Sequence, residues 1–289
     1  MFCKILGYDI KRGILNSYKG HILTVLLSIF ICISFACEYT RFYELKSAHY
    51  LDILFFAFAG SPKFVPGKDM PFVFPLFWAT IFLLPLYLSS YYPFYDLIGY
   101  GKTILIQSGS RYKWWLSKTI WCILRIAAYF LTIYLVALVF CLVMGIPVKY
   151  SVTENAHSMV INSCYKADVY APGEYALLGF NGQMGILFLL APVVVLSVLS
   201  IIQMTISLLS TPVYGFLLSA VILVSSTYYL HPLFIGNYLM VLRSDRLFSG
   251  GVNDVSGSAI SLILIVLVTA VNLMIFKKYD ILANVFKDE

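Results

Sequence analysis

An all-α membrane protein with six crossings is the fold class this sequence predicts, and three observations predict it. Of the 289 residues, 61% are apolar and only 12% carry a charge, about half the share found in soluble domains. So few charges cannot cover a water-facing surface, so the surrounding solvent is lipid. The charges also enclose long neutral runs: 18 residues between Lys19 and Glu38, 26 between Asp69 and Asp96, 68 between Glu174 and Arg243, and 22 between Asp254 and Lys277. A further 30 residues lie between Lys118 and Lys149 with one charge, Arg125. A spanning helix needs about 20 such residues. Finally, the basic residues concentrate in alternate connecting segments, as they do in multi-pass proteins.

Taken in order, residues 1–20 predict an interfacial helix. Phe2, Leu6, Ile10 and Ile14 recur every fourth residue and stack on one face, with Lys4, Lys11, Arg12 and Lys19 mostly opposite. Spans follow at about 21–38, 72–92, 119–144, 183–209, 213–230 and 258–277, forming one transmembrane domain over 1–289. The 68-residue run holds two of them. Ser210-Thr211-Pro212 interrupts it, and proline cannot continue a helix. Leu51 to Ala59 is too short to span and is expected to pack on the outer ends of the spans or dip into the interface. Apolar residues Leu233 to Leu242 predict a short re-entrant or interfacial helix before the last span.

Six crossings place both chain ends on one side. Segments on that side carry 11 Lys/Arg against 5 Asp/Glu, whereas the opposite loops carry 8 against 9. The positive-inside rule therefore predicts cytoplasmic termini. Orientation and contact with anionic lipid headgroups account for the net charge of +6 without any nucleic acid. The six cysteines are scattered and form no CxxC pair, so no zinc site is expected.

Catalytic signatures are missing from the sequence. HExxH, GxSxG and GxGxxG do not occur, and the four histidines lie in different segments. Gly101-Lys102-Thr103 resembles the end of a phosphate-binding loop. The first glycine of that motif is replaced by Asp96, which repels phosphate, so no ATP site is expected in this chain. No catalytic, cofactor or metal residue is assigned. Arg125 is the one charge well inside a span and reads either as a packing or snorkelling residue or as a pathway residue. Gln203 and Asn272 are the notable neutral polar groups, suited to helix–helix hydrogen bonds. An ion-coupled secondary transporter is one alternative, although no span carries a central acid. A membrane enzyme with an outer-face site from Glu154, His157 and Asp168 is another.

The segment from Pro93 to Lys118 is a basic, partly apolar island between two neutral runs. It reads Asp96, then Gly101-Lys102-Thr103-Ile104-Leu105, then Ser108-Gly109-Ser110-Arg111, then Ser117-Lys118. This resembles the cytoplasmic loop of type-2 ABC exporter permeases, with Asp96 in place of the usual Glu and Gly109 in place of the usual Pro. The order of elements is similar too: a surface N-terminal helix, the motif loop between spans two and three, six spans, and short re-entrant helices before the sixth. The loop between spans three and four is longer than is usual in the family. The resemblance implies a type V exporter-like fold with an N-terminal elbow helix and a cytoplasmic coupling helix. That helix would run over Gly101, Lys102, Thr103, Ile104, Leu105, Ile106, Gln107 and Ser108. Ser110 would cap the third span, and Arg111 would complete the contact with a separate ABC ATPase subunit. ATP and magnesium would bind that partner. A second permease, identical or paralogous, would complete the pathway in a bacterial plasma membrane.

Overall fold

The computed structural model describes residues 2–64, 72, 74–108, 110–164, 184, 186–247 and 250–278. Among them the chain is helical, with no strand and a single bridge between Ser244 and Val252. Helix α1 spans Phe2–Ile10 and runs on through a π-helical turn, Lys11–Leu15. Then come α2 (Tyr18–Tyr39), α3 (Tyr50–Ala57), α4 (Leu76–Ser90), α5 (Tyr92–Ile98) and α6 (Tyr100–Ser108). The second half contains α7 (Arg111–Met144), α8 (Glu154–Ser158), α9 (Leu187–Leu209), α10 (Pro212–Ser225) and α11 (Asp254–Lys278).

Each expected span coincides with a helix. Four of them, α2, α7, α9 and α11, are long and apolar enough to cross a membrane, as in a membrane protein. The other two are shorter than expected. Helix α4 has 15 residues and α10 has 14, so they rise only about 21–22 Å against a hydrocarbon core of about 30 Å. Counting charges overestimated both because neutral turn residues end them. Tyr91 separates α4 from α5, whose first turn holds Pro93. Helix α10 stops where Ser225, Ser226 and Thr227 turn their hydroxyls onto the carbonyls of the preceding turn. The break at Ser210-Thr211-Pro212 lies where it was expected, with Thr211 extended and Pro212 opening α10.

Helix α7 is the longest element, 34 residues with no internal proline. It ends at Gly145, which adopts a left-handed conformation (φ 68°) that glycine reaches without steric cost. Proline does interrupt α4, at Pro85. Proline has no N–H to offer the carbonyl four residues back, which is that of Ile81. The Tyr129 hydroxyl donates to that carbonyl instead, at 2.8 Å. Tyr129→Phe should therefore cost about 1 kcal/mol in a reversible unfolding assay. The loss should shrink when Pro85→Ala restores the N–H, a coupling that a double-mutant cycle would read.

The body has two ends. At one, α3 is wholly enclosed: Leu51, Ile53, Leu54 and Phe55 have no exposed surface. Just past its end, the Phe58 and Ala59 carbonyls accept from the Val241 and Leu242 N–H groups, while Trp78 Nε1 donates to the Leu239 carbonyl. The expected short elements of both loops are thus packed together. Asp52 ties α3 to the loop before α8, accepting from the backbone N–H of His49 and Thr153 at 2.7 and 2.8 Å. Burial raises the Asp52 carboxyl above its ordinary value, against the lowering effect of those donors. The other end carries α1, α5, α6, the first turns of α7 and the last turn of α11.

The N-terminal helix turns differently from expectation. Its buried positions are Ile5, Asp9, Gly13 and Ile14, packed on α7. Phe2, Leu6 and Ile10 lie at the flank, half-buried. Gly13 is required there, because a side chain would strike the rings of Trp121 and Tyr92.

A candidate partner-contact face and the buried lysine beneath it

The expected contact segment forms a short helical pair. Helix α5 ends at Gly99, and α6 starts one residue later. Gly101 abuts Asp96 so closely that any Cβ would collide with its carboxylate and carbonyl. Leu105 is buried in an apolar cluster with Ile14, Leu97, Trp114 and Phe276. Thr103 and Ile106 face outward, Ile106 with 70% of its surface exposed, while Lys102 and Ile104 are half-buried. Of the expected contact residues, Gly101 and Leu105 thus attach the helix to the body, and Thr103 and Ile106 form its outer face. The side chains of Gln107 and Ser108 lie outside the described residues. Ser110 takes the N-cap position of α7 with extended backbone, but its hydroxyl makes no cap bond. Arg111 Nη1 donates to the Lys277 carbonyl at 3.1 Å, fastening the start of α7 to the end of α11.

Beneath this face lies a buried ionic cluster. Lys118 Nζ sits 2.5 Å from Asp9 Oδ1 and 2.5 Å from Asp96 Oδ2. The three residues are 1%, 0% and 3% exposed. Tyr92 and Ser117 hydroxyls donate to the two Asp9 oxygens at 2.9 and 2.6 Å. The ammonium also lies over the rings of Tyr92 and Trp114, at 4.8 and 5.2 Å. Buried charges persist only when paired and hydrogen-bonded, and the donors here reach the Asp9 carboxylate from both α5 and α7. One lysine thereby holds α1, α5 and α7 together. The sequence motif pointed to Lys118 and Asp96, but nothing in it marked Asp9.

Trp114 and Trp115 would stand at the headgroup level as lipid-facing aromatics if they formed an interfacial belt. Instead they are 0% and 2% exposed and pack on Phe276, Trp114 stacking at 5.4 Å and 9°. The reason is α11, whose last turn covers this side of α7.

Arg125 and Gln203 have separate partners. Arg125 is buried, with Nη2 3.4 Å from Ser17 Oγ at the start of α2. It turns back toward the end that carries α1. Gln203 Nε2 donates to the Leu86 carbonyl at 2.8 Å, bonding α9 to α4 as expected of a helix–helix contact. Asn272 is buried on α11, and its amide nitrogen finds no partner among the described residues. At the opposite end, His157 is buried with its ring 6.2 Å from that of Phe55, while Glu154 is exposed. Asp168 lies outside the described residues. No cluster of three or more metal-ligating side chains occurs among the described residues.

Comparison with protein-family models, with curated proteins and with solved structures found no match.

Proposed function

We propose that this chain is the membrane subunit of an ATP-driven exporter of the type-2 ABC permease kind. The observation that carries the reading is α6. It is a short helix that turns Thr103 and Ile106 outward, set between the helices on either side and anchored from below by a buried lysine. Such a helix offers a soluble partner a firm handhold. The motif from Asp96 to Lys118 and the order of elements around it support the same reading.

In this reading α2, α4, α7, α9, α10 and α11 each cross the bilayer, and α1 lies on its surface as an elbow. The short α4 and α10 are completed at the outer end by α3 and by the segment over residues 235–243. The termini and α6 face the cytoplasm of a bacterium, as the basic excess requires. A second permease, identical or paralogous, completes the pathway. ATP and magnesium belong to a separate ATPase that grips α6.

Extraction in a mild detergent tests this. The tagged chain is expected to bring with it a subunit that hydrolyses ATP. Ile106→Asp puts a charge at the centre of the exposed face and should lower the recovered ATPase by about tenfold or more. The variant's own melting temperature should stay unchanged, because Ile106 is exposed. A wild-type chain that transports cargo without any nucleotide-binding partner would contradict the proposal.

A further inference from the structure

We infer that the Asp9–Lys118–Asp96 cluster is the joint through which movement of α6 reaches the far end of the molecule, with Lys118 as its positioning residue. This rests on the exporter reading above and names the residues that would transmit the partner's force.

The geometry supports it in three steps. First, α6 cannot move independently of Asp96, because Gly101 packs directly on the Asp96 carboxylate and carbonyl. Second, Asp96 is bonded to the lysine of α7, and the same lysine is bonded to Asp9 of α1. Contacts of 2.5 Å are lost when either helix shifts by about 1 Å alone, so the three helices move together. Third, α7 runs unbroken for 34 residues, about 50 Å, whereas α4 and α9 each contain a proline. Toward its distal end α7 holds α3 by one bond, and the segment just beyond α7 supplies a second. The Tyr50 hydroxyl donates to the Tyr134 carbonyl, and the Tyr50 N–H donates to the Pro147 carbonyl, both at 3.2 Å. The path thus leads from α6 through Lys118 and along one rod to the enclosed helix α3.

The choice of residues also fits a joint better than a stabilising core. Replacing buried ion pairs by apolar side chains is often neutral for stability. Two carboxylates from separate helices on one ammonium instead fix direction, because the paired geometry has one arrangement.

The test compares wild type with the triple variant Asp9→Asn/Lys118→Met/Asp96→Asn, which removes all three charges, and with Lys118→Arg, which keeps the cation. Each chain is co-purified with its ATPase, and hydrogen exchange is followed over residues 50–57 and 145–158, with and without ATP and vanadate. Wild type should show a nucleotide-dependent change in exchange at these distal segments. Compared at equal amounts of bound ATPase, the triple variant should lose the distal change. Lys118→Arg should keep it. A triple variant that still transmits the nucleotide signal would overturn the joint and leave the exporter reading standing. A wild-type chain that recovers no ATPase would overturn both.

Discussion

Lys118→Met is expected to be the most damaging single substitution at the end of the molecule that carries α1 and α6. It removes the cation that bridges two carboxylates that are 0% and 3% exposed. Breaking a buried ion cluster by deleting one partner costs about 3–5 kcal/mol, because the remaining charges stay buried without compensation. The detergent-solubilised chain should lose that much stability in a reversible unfolding titration. The triple variant should regain most of it, since neutral Asn, Met and Asn leave no charge to bury. Equal losses in both would mean that packing, not charge, holds the cluster together.

Arg243→Met is expected to have a comparable effect at the opposite end. Arg243 has no exposed surface. Its guanidinium donates to the carbonyls of Ser226 and Thr227, at the C-terminal end of α10, and to Asn237 Oδ1. It also donates to Ser61 and Pro62, beyond α3. A cation at a helix C-terminus satisfies carbonyls that have no partner in the helix. Met leaves several buried acceptors unpaired at about 1–3 kcal/mol each, so a loss of at least about 3 kcal/mol is expected. Arg243→Lys should recover less than half, because an ammonium cannot present five donors in a planar fork. Limited proteolysis should show the segment over residues 235–243 becoming cleavable before the long helices. Resistance equal to wild type would show that the segment is held by other contacts.

The two predictions concern residues of uneven legibility. Spacing of charges located every long helix, and Pro212 marked the break between α9 and α10. Both signals are local, and helix formation in an apolar segment is a local property. Charge spacing failed for the ends of α4 and α10, where Tyr91 and Ser226 stop a helix without adding a charge. Periodicity failed for α1. The four-residue apolar stripe assigned the face, but Asp9 decides it, because its partner Lys118 lies 109 positions away. Arg243 is a similar case: it was read as the end of a neutral run, and its partner Ser61 is 182 positions distant. The motif around Asp96 falls on α5, α6 and the start of α7. It could not tell that Leu105 faces inward and Ile106 outward, because that depends on how α5 and α6 sit against the start of α7.

The most direct test of the account is photocrosslinking from position 106 in intact membranes. A photoreactive amino acid replaces Ile106, and the captured protein is identified by mass spectrometry. The expected product is a crosslink to an ATPase subunit carrying a phosphate-binding loop, lost when the reactive group is moved to the buried position 105. Capture of lipid alone, or of no nucleotide-binding protein, would contradict the assignment of α6 as the handhold of an ATP-driven partner.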